Sequence, residues 1–117
     1  MKEFFTTIRM DNFDSEIKEG NRPLLLACIL RGDDFKEQIK VLESVSKRYD
    51  DALKVCLLDE DCVRSYKKLG IVGTPTFLIL YKGKEMARKL GKVDMETLSS
   101  FVLRVWTNFQ EDNEART

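Results

Sequence analysis

Gly70-Ile71-Val72-Gly73-Thr74-Pro75-Thr76-Phe77 is the stretch on which the reading of this chain turns. From Thr76 to Tyr81 the sequence runs TFLILY, a β-branched and aromatic run suited to a buried strand. A proline inside such a strand would remove a ladder donor, so Pro75 must stand at the strand's start. On the other side, Gly70 ends a helix whose last residues include Lys67 and Lys68. The octapeptide is therefore read as a loop leading from a helix to a buried strand, with a proline at the junction.

Working outward, the segments alternate between helical and strand periods. Downstream, a turn at Lys82-Gly83-Lys84 leads to a strand at Glu85–Leu90, which makes a hairpin with the strand before it. A last helix starts at Asp94 and is expected to bury Leu98, Phe101, Val102, Val105 and Trp106. Upstream, Lys54–Leu58 reads as a buried strand, and the helix after it opens on Asp59, Glu60 and Asp61, in keeping with its dipole. Before that, Leu24–Leu30 is a continuous apolar run, the mark of a strand covered on both faces. Its following helix carries Phe35, Ile39, Leu42, Val45 and Tyr49 on one stripe, with Asp34 and Glu37 spaced as a capping pair. A short first strand is placed at Phe4–Met10 and a brief helix at Asp11–Glu19, stopped by Gly20 and Pro23. The order βαβαβαββα predicts an α/β sandwich of three layers, with one central mixed sheet and helices on both faces. Residues 1–110 make one domain, and 111–117 form a polar tail expected to fray.

Composition narrows the function classes. Lys+Arg and Asp+Glu both number 20, so net charge gives no case for a nucleic-acid or membrane-surface partner. Basic clusters at Arg9, Lys47-Arg48, Lys67-Lys68 and Arg88-Lys89 are dispersed and have acids nearby, as solvated faces do. Because the chain has no His, His-based catalysis and His metal ligation are closed. The first ten residues, MKEFFTTIRM, do not form a secretory signal, and no apolar run is long enough to span a bilayer, so a cytoplasmic location is expected. Cys28, Cys56 and Cys62 are an odd number without a CxxC pair, which suits reduced thiols.

The Gly70–Phe77 stretch resembles the cis-proline loop of the thioredoxin superfamily, where sequences run G-(V/I)-x-x-x-P-T. The resemblance extends to Asn12-Phe13 at the first helix, the Lys82-Gly83-Lys84-Glu85 turn and Gly91 before the last helix, and so covers nearly the whole chain. It implies a thioredoxin-like fold. Aligning Val41–Val45 with a thioredoxin's second helix places the family's W-C-G-P-C on Arg31-Gly32-Asp33-Asp34-Phe35. Gly32 then stands at the nucleophilic cysteine, Phe35 at the resolving cysteine, and Leu26 at the buried aspartate that assists proton transfer. Nucleophile, resolver and relay are all replaced.

In this family the first cysteine sits where helix amides and the dipole stabilise its thiolate. Asp33 and Asp34 offer carboxylates to the same amides, and a carboxylate caps a helix but does not attack disulfides. Both acids therefore read first as caps, with an anion-repelling or partner-reading role as the alternative. Phe35 fits the buried stripe of its helix and also borders the loop. Cys28 and Cys56 lie in apolar strands and read as small hydrophobes. Cys62 reads as a first-turn residue, where the dipole lowers a thiol pKa and the three neighbouring acids raise it; it is the one weak catalytic candidate. A Cys56–Cys62 pair would need unusual geometry. Three thiols without close ligand spacing argue against a metal site, and an iron–sulfur cluster of the superfamily's four-cysteine form is excluded, so no cofactor is expected.

The resemblance assigns a second role to Pro75, whose loop can also persist for packing alone. Thr74 would offer its backbone N–H and C=O to an extended peptide, a mode of strand addition that needs no thiol. The expected surface combines Gly32, Asp33, Asp34, Phe35, Thr74, Pro75 and Gly91, and its expected partner is a protein or extended peptide. The competing expectation is a thiol-based redox protein acting through Cys62.

Overall fold

A computed structural model describes residues 5–18 and 22–115. In chain order the elements are β1 (Thr6–Ile8), α1 (Phe13–Lys18), β2 (Leu24–Cys28), α2 (Phe35–Arg48), β3 (Lys54–Leu58), α3 (Val63–Lys68), β4 (Thr76–Tyr81), β5 (Lys84–Leu90) and α4 (Met95–Ala115). The strands form one sheet in the order β1-β3-β2-β4-β5. β1 and β2 run parallel to β3, whereas β4 runs antiparallel to both β2 and β5. All of β2 is buried, as its continuous apolar run requires of a central strand. The β4–β5 turn is the residue pair Lys82-Gly83, both at positive φ, which gives the twist that a tight hairpin needs.

Alternation along the strands divides the core between two faces. Leu25, Ala27, Phe77 and Ile79 pack with Leu42 and Val45 of α2 and Leu98 and Val102 of α4. Leu24, Leu26, Cys28, Cys56, Leu58, Leu78 and Leu80 pack on the other face with Ile17 of α1 and Cys62. Helices therefore cover both faces, and the chain has the thioredoxin-like α/β fold that its sequence implied. Each large aliphatic side chain buried in these two layers contributes about 1.5–3 kcal/mol relative to its exposed state.

Several boundaries differ from the sequence reading for local reasons. β1 ends at Ile8 because Asn12 folds the chain back: its Oδ1 accepts from the Arg9 N–H at 2.6 Å, and its Nδ2 donates to the Thr7 carbonyl at 3.2 Å. Phe4, Glu19 and Gly20, placed at the ends of the first strand and helix, lie outside the described residues. β2 stops at Cys28, whose ladder partner is Thr76; the residue before Thr76 is Pro75, which has no N–H to continue the ladder. Asp59, Glu60 and Asp61 precede α3 instead of forming its first turn, and Cys62 is the residue that caps it. At the last helix Asp94 does cap, its Oδ1 accepting from the Thr97 N–H at 2.7 Å, and that bond holds its carboxyl below the usual range. α4 continues to Ala115 and so takes in part of the polar stretch after 110. Phe101, Val105 and Trp106 are half-buried, whereas Leu98 and Val102 are buried.

Candidate functional site

At the end of the sheet where β2 and β5 finish and β4 begins, hydrogen bonds tie three loops together. The Thr74–Pro75 peptide is cis, and the Pro75 carbonyl accepts from the Gly91 N–H at 2.9 Å. Gly91 takes φ +94, which favours a residue without a Cβ, so a larger side chain would disturb this contact. One residue on, Lys92 Nζ lies 3.3 Å from Asp34 Oδ1, linking this loop to the tip of α2. Beneath that link, Gln38 Nε2 donates to the Val93 carbonyl at 2.9 Å while the Val93 N–H donates to Gln38 Oε1 at 3.1 Å. Both residues are buried, so the pair acts as a dry clamp between α2 and the loop before α4.

The start of the proline loop is held separately. The Arg88 guanidinium donates to the Leu69 carbonyl at 2.7 Å and the Gly70 carbonyl at 3.0 Å, just past the end of α3. Its remaining donors meet Glu85 at 3.0 and 2.7 Å, and this pairing lowers the Glu85 pKa. At the loop's other end, Thr76 Oγ1 donates to the Gly73 carbonyl at 2.6 Å. Thr74 itself is exposed between these anchors. Three exposed apolar side chains lie close to it in the chain or the sheet register: Val72 at 89%, two residues earlier, Leu90 at 57%, opposite Thr76, and Leu30 at 49%, two residues past Cys28, the other partner of Thr76. Leu90 is the ladder partner of Thr76, which sets it beside Pro75.

The α2 tip departs from the capping expected of it. Asp34 occupies the capping position, but its φ −94 and ψ −6 are already helical and its side chain makes no cap hydrogen bond. Its carboxylate turns to Lys92 instead. The Asp34–Glu37 capping pair is accordingly not formed. The Phe35 N–H is taken by the Gly32 carbonyl at 3.2 Å. Gly32 and Asp33 are exposed on the loop. Phe35 is half-buried against the core under the Arg31 guanidinium, 5.3 Å from its ring centroid. Arg31 also pairs with Glu60 at 3.3 Å across the surface, a contact worth at most about 1 kcal/mol.

None of the three cysteines faces this surface: Cys28, Cys56 and Cys62 are free and each is 0% exposed. They belong to the core layer that also holds Leu26, the residue at the family's aspartate position. Burial pushes the Cys28 and Cys56 thiols up to about 12. Cys62 is not a first-turn residue whose dipole wins. It caps α3 with its side chain turned inward, and Sγ donates to the Ile8 carbonyl at 3.7 Å. Burial raises its pKa, followed by the charges of Asp59, Asp61 and Asp11. Among the described residues, no group of three or more His, Cys, Asp or Glu side chains is placed to hold a metal ion.

Of the residues singled out from sequence, Asp34, Pro75 and Gly91 are joined through backbone and ion-pair contacts, with Thr74 open beside them. Sequence reasoning missed Gln38 and Arg88. Gln38 left a signal, because it is a polar residue on the Phe35–Leu42–Val45 stripe. Arg88 left none for its hold on the loop, since the groups it binds there are the backbone carbonyls of Leu69 and Gly70.

The fold, with the α2 tip tied through the Gly91–Val93 loop to the cis-proline peptide, is that of a thioredoxin-like protein. The chain is 28% identical over 106 residues to protein disulfide-isomerase 5-1 of Arabidopsis thaliana, a match covering 83% of this chain and 69% of that protein. No family model matches the chain. Among the described residues, no helix is long and apolar enough to cross a membrane.

Proposed function

We propose that this chain is a cytosolic thioredoxin-fold module that binds a protein or extended peptide at the Thr74–Pro75 loop and does not perform dithiol exchange. The observation carrying this reading is the separation of reactive atoms from the surface. Val72, Thr74 and Leu90 are exposed around Pro75, while all three thiols have no exposure. A partner strand would hydrogen-bond to the exposed Thr74 backbone and lay apolar side chains on Val72, Leu90 and Leu30. Disulfide exchange needs a thiolate that can reach its target, and thiols pushed up to about 12 by burial supply almost none at neutral pH. Free, odd-numbered cysteines suit a reducing compartment.

The reading is tested by screening immobilised extended peptides against the wild type, Val72→Asp and Cys62→Ser, each with and without reductant. Val72 is 89% exposed, so a charge there alters the surface without entering the core. Binding should survive reductant, persist in Cys62→Ser, and weaken about tenfold in Val72→Asp, the factor carried by roughly 1.4 kcal/mol. Capture that needs oxidising conditions and disappears in Cys62→Ser would replace this reading with monothiol exchange.

A further inference from the structure

At the opposite end of β2 the α2–α4 face has a feature that the peptide surface does not use. The chain leaves α2 through Tyr49, whose carbonyl accepts from the Ala52 and Leu53 N–H groups at 3.0 and 2.9 Å. α4 passes over this turn, and β5 brings Met86 alongside. Between them lies a recess of about 140 Å³ lined by Pro23, Tyr49, Leu53, Ile79, Met86 and Trp106, and among the described residues its walls carry no charge. Ile79 at 1% and Leu53 at 5% exposure form its floor, while Met86 at 40% and Leu103 at 47% leave its mouth open.

Three physical points fix what such a space accepts. An apolar recess gives water too few partners for its two to four hydrogen bonds, and a cavity near 150 Å³ takes a benzene-sized molecule. A charged ligand would lose its hydration against walls that offer no counter-charge. Tyr49, Trp106 and the Met86 thioether favour an aromatic ring over a saturated one of equal size. Tyr49 and Trp106 also lie on the inward stripes of their helices yet remain half-buried, so the surface they leave uncovered lines this recess. We propose that the recess is a binding site for a small neutral aromatic molecule of one ring.

The test titrates the full-length chain with toluene and with methylcyclohexane, reading emission from Trp106, which is the chain's one tryptophan, and side-chain methyl NMR shifts. Toluene should give a saturable change confined to Leu53, Ile79 and Val102, and should bind about 2- to 10-fold more tightly than methylcyclohexane. Ala52→Leu, which fills the recess from its edge, should abolish saturation while the thermal transition remains cooperative. If that variant does not fold, the methyl shifts of the wild type decide alone. A non-saturating response, shifts scattered over the molecule, equal affinity for the saturated ring, or saturation surviving in a folded Ala52→Leu would each overturn the proposal. Val72→Asp, altered only at the peptide surface, should bind toluene as the wild type does, so failure here is distinct from failure of the peptide reading.

Discussion

Cys28 and Cys56 stand on neighbouring strands of one sheet face, and both thiols are pushed up from 9.0 to about 12 by burial. Between those values the unfolded chain releases a proton that the folded chain keeps. Stability is therefore full below pH 9 and is lost as pH rises towards 12, with a slope approaching about 1.4 kcal/mol per pH unit for each thiol. Urea midpoints under reductant should fall faster above pH 9 in the wild type than in Cys28→Ala or Cys56→Ala. Parallel profiles in all three proteins would contradict the assignment. Asp34 illustrates the same dependence on surroundings, because a nearby lysine and a helical ψ turn an expected helix cap into an ion-pair partner. Residue type was legible at both places. What each group does was set by neighbours distant in sequence.

The clamp between Gln38 and Val93 joins α2 to the loop that carries Gly91 and Lys92. Replacing Gln38 by Leu removes one side of it and leaves a buried N–H and a buried carbonyl without partners. The expected loss is about 2–6 kcal/mol, from roughly 1–3 for each of the two orphaned groups, read as a lower urea midpoint. A change below about 0.5 kcal/mol would mean that the Val93 backbone finds other partners. Boundaries were legible where a single physical cause acts. β3 and β4 fall on Lys54–Leu58 and Thr76–Tyr81 as read, because each is one polar residue followed by an apolar run that ends at polar or turn residues. They were less legible where side chains intervene: Asn12 shortens β1, and Pro75 deprives β2 of ladder partners beyond Cys28.

Across the whole molecule, the succession of elements and a mixed sheet covered on both faces followed from the alternation of two-sided apolar strands, amphipathic helices and one tight hairpin, whereas the strand order β1-β3-β2-β4-β5 is set by packing. The Arg88 anchor and the recess between α2, β5 and α4 did not follow, because both arise only when elements far apart in the chain are packed together. The central claim concerns the relation of the thiols to the surface: a thioredoxin-like fold presents an exposed loop cluster while its three thiols lie in the core. Insulin reduction driven by dithiothreitol tests that claim most directly. With this chain added, precipitation should proceed at the rate of dithiothreitol alone, and Cys62→Ser should leave that rate unchanged. Acceleration to a thioredoxin-like rate, lost on removal of any one cysteine, would contradict the account.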